Sequence, residues 1–402
     1  MTYGYSGCRQ SWVLYNAQQN QIARMPFLEP ALTTGVEEEY LLVDKSTRDL
    51  VNDPPPELMK QCARLLGTQV SPELMRAQIE VGTPVCHSIS EVRDELRKLR
   101  YTIAEVSERY GYAPVAVSTH PFAKWHDQKQ TEKARYSALT EEMQAAARRL
   151  LICGMHIHVG IEDQELRIDL MNQLSYFLPH LLALSCSSPF WEGEPTGLKS
   201  YRLTVFDALP RTGLPEQFAS WAEYERHVQI LINAGLVEDA SMIWWDLRPS
   251  ANFPTLETRI MDVVTNLEQG LGLVALTVCI IRMLYRARVK NQRWRVYAGM
   301  LINENRWRAM RYSYDEGLID LARGEVISYT ELLTEICELV EEDADFLGCE
   351  QELENVRRIL LDGTSAHNQL RVYNDALSRG ESEVSALQGV VDWLIEQTVK
   401  DL

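Results

Sequence analysis

The chain predicts an α+β fold. Strand-like patterning is confined to the first two thirds of its 402 residues, and from about Asn266 onward the pattern is overwhelmingly helical. Strands first and helices last, without regular alternation of the two, argue for this class. The 46% hydrophobic and 24% charged fractions are those of a soluble globular protein with a large core.

The elements follow in order. Residues 1–30 show neither the strand nor the helix period and read as a flexible N-terminal extension, with Met25, ten residues before Gly35, as an alternative start. Residues 31–402 form the expected folded body, helical in its C-terminal part. Residues 36–43 are rich in strand formers, 46–56 form a turn-rich loop, and 78–84 make a second β-like run. A helix is expected over 90–109, opened by Ser90 as N-cap. Residues 113–117 read as a short buried strand and 118–130 as a polar loop. The spacing predicts a strand over 154–160, one buried helix over 166–184, a loop over 189–197 and a strand over 201–206. A helix over 219–236 should end near Gly235, and residues 256–260 again read as strand. The acidic run 338–345 reads as a solvated helix face.

A formal charge of −17 argues against a nucleic-acid or anionic-membrane surface, where a basic patch is expected. Eight cysteines are scattered without a Cys-x-x-Cys pair, several inside apolar runs, which is how reduced thiols are used in a cytoplasmic enzyme. The longest apolar stretch, 271–281, ends at Arg282; it is too short to span a bilayer and reads as a buried helix.

Side chains two apart on a strand share a face, so Glu37 pairs with Glu39, His156 with His158, and Glu257 with Arg259. Glu37 and Glu39 suit a hard divalent cation; the alternative is an exposed, charged edge strand, against which stand the apolar neighbours Val36, Tyr40, Leu41, Leu42 and Val43. Glu80 alone reads as a surface residue and gains weight only beside the others. His156 and His158 can bind metal, phosphate or substrate, or simply line a groove; a zinc hydrolase would need a third ligand that no nearby histidine supplies. Asp246 and Arg248 are expected on one face. Arg248, Arg259 and Arg202 can each fork a phosphate or carboxylate, or serve as half of a structural ion pair. No glycine-rich phosphate loop is present.

Taken together, Gly35-Val36-Glu37-Glu38-Glu39-Tyr40, Gln78-Ile79-Glu80, Gly154-Met155-His156-Ile157-His158-Val159-Gly160 and Ser187-Ser188-Pro189-Phe190-Trp191 resemble the type 2 glutamate–cysteine ligase family of bacterial carboxylate–amine ligases, relatives of glutamine synthetase. The resemblance continues through Ser200-Tyr201-Arg202, Trp245-Asp246-Leu247-Arg248-Pro249, Glu257-Thr258-Arg259 and the run from Asn305 to Tyr312. It implies an antiparallel sheet curved into a funnel and backed by helices, as in the glutamine synthetase catalytic domain. It implies ATP with Mg²⁺, small-molecule substrates (glutamate, with cysteine or another amine), a homo-oligomer, and neither nucleic-acid nor membrane partners. By motif position, Glu37, Glu39, Glu80, His156 and Glu257 would hold metal. Arg259, Arg248 and His158 would meet the nucleotide's phosphates, and Arg202 and Arg259 would serve the reacting groups. Glu38 must face the other way on a regular strand. The competing readings are a metal-dependent hydrolase using His156 and His158, and a catalytically silent binding protein on the same scaffold.

Overall fold

The computed structural model describes residues 29–402, with Leu32–Leu402 as one compact unit. The expected extension over 1–30, including the alternative start at Met25, lies almost wholly outside the described residues.

A seven-stranded antiparallel sheet is built from β1 (Thr34–Asp44), β2 (Val70–Pro72), β3 (Gln78–Gly82), β4 (Tyr112–Val115), β5 (Met155–Gly160), β6 (Leu247–Pro249) and β7 (Thr255–Thr258). Its order is β2-β3-β1-β5-β7-β6, with β4 paired to the far end of β1. The α+β, antiparallel expectation therefore holds. β1 is the central strand: Val36, Glu38 and Tyr40 are buried on one face while Gly35, Glu37 and Glu39 are partly open on the other. That two-residue period is the alternation read from sequence.

The buried face of β1 carries a charge. Glu38 is wholly buried and meets Arg100, from the helix Ile89–Glu108, in a two-pronged pair of 2.9 and 2.7 Å. The Tyr40 hydroxyl donates to the same carboxylate at 2.5 Å. Arg100 also donates to the carbonyls of Val264 and Thr265 at 2.8 and 2.7 Å, just beyond the segment that holds Glu257 and Arg259. All charges of this group are compensated, which is the condition for burying an ion pair at all.

Several expectations are corrected. The Ile89–Glu108 helix is capped by Ser88, not Ser90: the Ser88 hydroxyl accepts from the Glu91 N–H while the Glu91 carboxylate accepts from that of His87, a reciprocal capping pair. The single helix over 166–184 is two, Gln164–Leu174 and Leu178–Ser185, joined by a 3₁₀ turn; Pro179 lacks the N–H needed to run the helix through. The loop over 189–197 contains a small hairpin, Phe190–Trp191 with Glu194–Pro195. Residues 201–206 form the short helix Arg202–Phe206 and not a strand; the Ser188 hydroxyl accepts from the Arg202 N–H, and five residues cannot separate the two periods. Asp246 and Arg248 part company, because the strand begins only at Leu247. Asp246 is buried against Arg306 at 2.7 Å.

The C-terminal third is helical as expected, opened by Asn266 capping the helix Leu267–Val289. That helix is longer than the apolar run suggested, long and apolar enough to cross a membrane by composition, and it lies in the core of the unit with 89% of its most apolar window buried. Arg282 does not mark an exposed end; it meets Asp343 at 2.7 Å. The acidic run is correspondingly not all solvated. A break at Val340 turns Asp343 inward between Arg282 and Arg286. The seven described cysteines are free and buried.

Glu38→Gln is expected to cost about 3 kcal/mol or more, because it leaves the Arg100 charge buried with half its compensation. Urea unfolding checks this. An unshifted midpoint would mean that the back-face pair contributes nothing to stability.

Candidate active site

The open face of the sheet carries one continuous row. Glu80 on β3 stands opposite Glu39 on β1, and Glu37 on β1 opposite His156 on β5. His158 on β5 then stands opposite Glu257 on β7, and Glu257 opposite Arg248 on β6. Directly opposed residues on neighbouring strands bring their Cβ atoms to roughly 5 Å. The row floors a cavity of about 970 Å³, which Arg202 and Arg259 also line. The sequence-derived candidates Glu37, Glu39, Glu80, His156, His158, Arg202, Arg248, Glu257 and Arg259 are thus all brought together.

Two subclusters differ in their electrostatics. In the first, Glu37 receives the His156 Nδ1–H at 3.0 Å, which leaves Nε2 as the lone-pair nitrogen of that ring. Burial works against ionisation of Glu37, but hydrogen bonds and charge from His156 and His158 hold its carboxyl well below the usual range. Burial and the neighbouring Arg259 charge push His156 down to about 4, so its ring is neutral. His158 bonds Thr255 Oγ1 through Nδ1 at 2.9 Å and points Nε2 towards Glu37 and Glu257, at 3.6 and 3.9 Å. One donor atom each of Glu37, His158 and Glu257 lie within 4.8 Å of one another, a spacing one ion could bridge.

The second subcluster is only partly compensated. Burial, then the charge of Glu73, push Glu39 up to about 7, although Arg202, the Gly154 N–H and Arg259 pull the other way. Burial together with Glu73, Glu37 and Glu39 pushes Glu80 to about 8, with only the Ser71 hydroxyl, at 2.9 Å, opposing. Glu73 was not foreseen from the sequence. It lies in the turn between β2 and β3, where no period marks which way a side chain faces. Carboxylates crowded this way fit a cation, which would remove the repulsion.

The arginines divide by what already holds them. Arg248 gives its Nε and Nη2 to Glu257, at 2.9 and 3.1 Å, and its Nη1 to the carbonyls of Ser241 and Ile243. It clamps Glu257, with four of its five N–H groups engaged in all. Arg259 also pairs with Glu257 through Nη1, but its buried Nε has no partner. The Arg259 guanidinium as a whole lines the cavity, where its charge and planar fork fit an anion. Arg202 begins the helix Arg202–Phe206 and donates to the carbonyls of Arg259 and Ile260 at 3.2 and 3.3 Å. Its guanidinium lies so close to Gly154 that a Cβ there would collide with it, while the Gly154 N–H donates to Glu39 at 2.8 Å. Glycine before Met155 is therefore a packing requirement of the site.

Residues 33–388 match the sequence model of glutamate–cysteine ligase family 2. A Rhodospirillum rubrum protein provisionally named glutamate–cysteine ligase 2 is 58% identical over 378 residues, covering 93% of this chain and 97% of its own. A Jannaschia protein with the same provisional name is 53% identical over 376 residues, covering 94% and 99%. Among solved structures, the glutamate–cysteine ligase of Francisella tularensis in complex with AMP superposes with a TM-score of 0.66 at 14% identity, covering 92% of this chain and 89% of its own. The bifunctional glutathione synthetase of Pasteurella multocida gives 0.66 at 13% identity, covering 97% of this chain and 55% of its own. At such identities the two structures speak for the fold; the sequence matches carry the kinship. The chain belongs to glutamate–cysteine ligase family 2, ATP-dependent ligases that form carbon–nitrogen bonds.

Proposed function

We propose that the chain activates glutamate at its γ-carboxylate as an acyl phosphate and transfers the acyl group to an amine, cysteine in the first instance. The observation that supports this reading is the meeting, in one cavity, of two carboxylate clusters with the guanidinium groups of Arg202 and Arg259. A free carboxylate is a poor acyl donor because oxide would have to leave. Phosphorylation by ATP converts the leaving group to phosphate, and transfer then depends on positioning and charge stabilisation.

Glu39 and Glu80, with Glu73, would hold one Mg²⁺; Glu37 and Glu257, with His156 or His158, would hold another. Bound Mg²⁺ supplies neutralisation of charge between the phosphates. Arg259 offers its guanidinium, which lines the cavity, to the transferred phosphoryl group, Arg202 lies where it can meet that group or a substrate carboxylate, and Arg259 with Arg248 keeps Glu257 ionised, Arg248 also orienting it. No covalent enzyme nucleophile is required. The seven free, buried thiols support a reducing compartment, and the same reading places the enzyme in the cytoplasm. A hydrolase would use water at Glu37, His158 and Glu257 without ATP, and a silent binding protein would release no phosphate. Phosphate release that depends jointly on ATP, Mg²⁺, glutamate and an amine separates the three readings. Release without the amine or without glutamate would count against ligation.

Glu37→Gln and Glu39→Gln are each expected to abolish turnover while leaving the chain folded, since the amide keeps the shape and loses the charge that holds Mg²⁺. Near-normal ligation by either variant would remove that residue from the metal set. Glu73→Gln should raise the Mg²⁺ concentration needed for half-maximal rate; an unchanged requirement assigns Glu73 to the wall alone.

Arg259→Lys keeps the charge and loses the planar fork. Activity should drop by roughly a hundredfold or more, the scale of a lost transition-state donor. A kinetically silent Arg259→Lys would reduce this residue to the structural partner of Glu257.

A further inference from the structure

The turn between β6 and β7 forms part of the cavity wall and has no role in the chemistry so far. Ser250, Asn252 and Phe253 line the cavity from it. The turn is held by its own hydrogen bonds. The Ser250 N–H donates to the Thr255 carbonyl at 3.0 Å, the Thr255 N–H to the Phe253 carbonyl at 2.8 Å, and the Asn252 N–H to the Ser250 hydroxyl at 3.4 Å. The Pro254 carbonyl accepts from the Ile161 N–H at 2.8 Å, which ties the turn to the chain just past β5.

Phe253 is the unusual residue of this turn. Its ring is 58% exposed, and it meets the His158 ring edge to face, with centroids 6.1 Å apart and planes at 89°. A large ring held at the wall of a ligand cavity and left open offers a π-face to whatever enters. Its place says what that is. His158 gives one of the three donor atoms, with Glu37 and Glu257, that one ion could bridge, and such an ion meets the phosphates of a nucleotide. From those phosphates a nucleotide continues through its sugar to a flat, neutral base. Residues 250–254 (Ser-Ala-Asn-Phe-Pro) carry no charge, whereas the sheet face beside them is a row of carboxylates, imidazoles and guanidinium groups. The neutral end of the nucleotide thus matches the neutral part of the wall.

We propose that Phe253 is the stacking platform for the base of ATP: the base lies on the Phe253 ring while the phosphates meet the ion held by Glu37, His158 and Glu257. The inference rests on the reading of this cavity as the site of an ATP-dependent ligase. Phe253 takes no part in making or breaking bonds. It sets how tightly, and by which end, the nucleotide is held, and its contact with His158 joins the base platform to the ion site.

The test measures ligation against ATP concentration, with Mg²⁺, glutamate and cysteine saturating, for Phe253→Ala, Phe253→Leu and Phe253→Tyr. It also measures inhibition by magnesium tripolyphosphate, which has the phosphates and no base. Phe253→Ala and Phe253→Leu should each raise the KM for ATP about tenfold, the scale of a lost base–aromatic stack, while kcat and the KM for glutamate move far less. Phe253→Tyr keeps the ring and should keep the original KM. The inhibition constant of tripolyphosphate should be the same in every variant. An unchanged KM for ATP in Phe253→Ala, or in Phe253→Leu, where apolar contact remains without a ring, overturns the inference and leaves the ligase reading standing. So does a tripolyphosphate constant that rises in step with the KM for ATP, because Phe253 would then act on the phosphates through His158. Absence of ATP-dependent phosphate release by the unaltered chain overturns both.

Discussion

The buried pair between Glu38 and Arg100 is the constraint on which the site depends. A strand has no means of its own to prefer one register, and a slip by one residue would turn Glu37 and Glu39 into the core. Glu38 makes that slip prohibitive, because it has a single place where its charge is matched: the Arg100 fork behind the sheet. The same guanidinium holds the Val264 and Thr265 carbonyls, so β1 and the segment that follows β7 are tied to one helix, and with them two of the three strands that contribute metal-capable carboxylates. Three consecutive glutamates thus do two jobs, two facing the cavity and one locking the strand that presents them.

The front face is built against its own stability. Like charges directly opposite one another destabilise a sheet, yet Glu39 stands opposite Glu80, with Glu73 beside them. Arg202, Arg259 and the Gly154 N–H repay this only in part, so burial and mutual repulsion still raise both carboxyls. Local violations of packing logic concentrate at functional sites, and here the missing compensation has the sign of a cation. The other half of the row is the reverse case. Glu257 is held between two arginines and Glu37 between two imidazoles, so both stay ionised. One sheet face therefore offers both a repulsive and a pre-satisfied carboxylate cluster.

Most of the row was legible from the chain. Glu37 with Glu39, His156 with His158, and Glu257 with Arg259 are pairs two apart in apolar strands, and period two is a property of the backbone that tertiary structure does not alter. The failures have a common cause. Asp246 was expected beside Arg248, but the strand starts one residue later and Arg306, distant in sequence, draws Asp246 away. Arg202 was expected on a strand and sits at a helix start, where Ser188 meets its backbone. Glu73 and Arg100 were not singled out, one because it lies in a turn and the other because it reads as one of many charges on an amphipathic helix.

The sequence by itself determined which side chains share a face within each strand, that Glu38 opposes its neighbours, and, through the order of its motifs, the family. Tertiary structure alone decided which strands lie side by side and hence which carboxylates repel and which are clamped. It decided that Arg248 clamps Glu257 from the edge of the row while Arg259 and Arg202 bring their guanidinium groups to the same cavity. The physical reason is range. Backbone geometry fixes the facing of side chains within a few residues, whereas burial, hydrogen bonding and Coulomb interaction depend on neighbours that only the folded chain supplies.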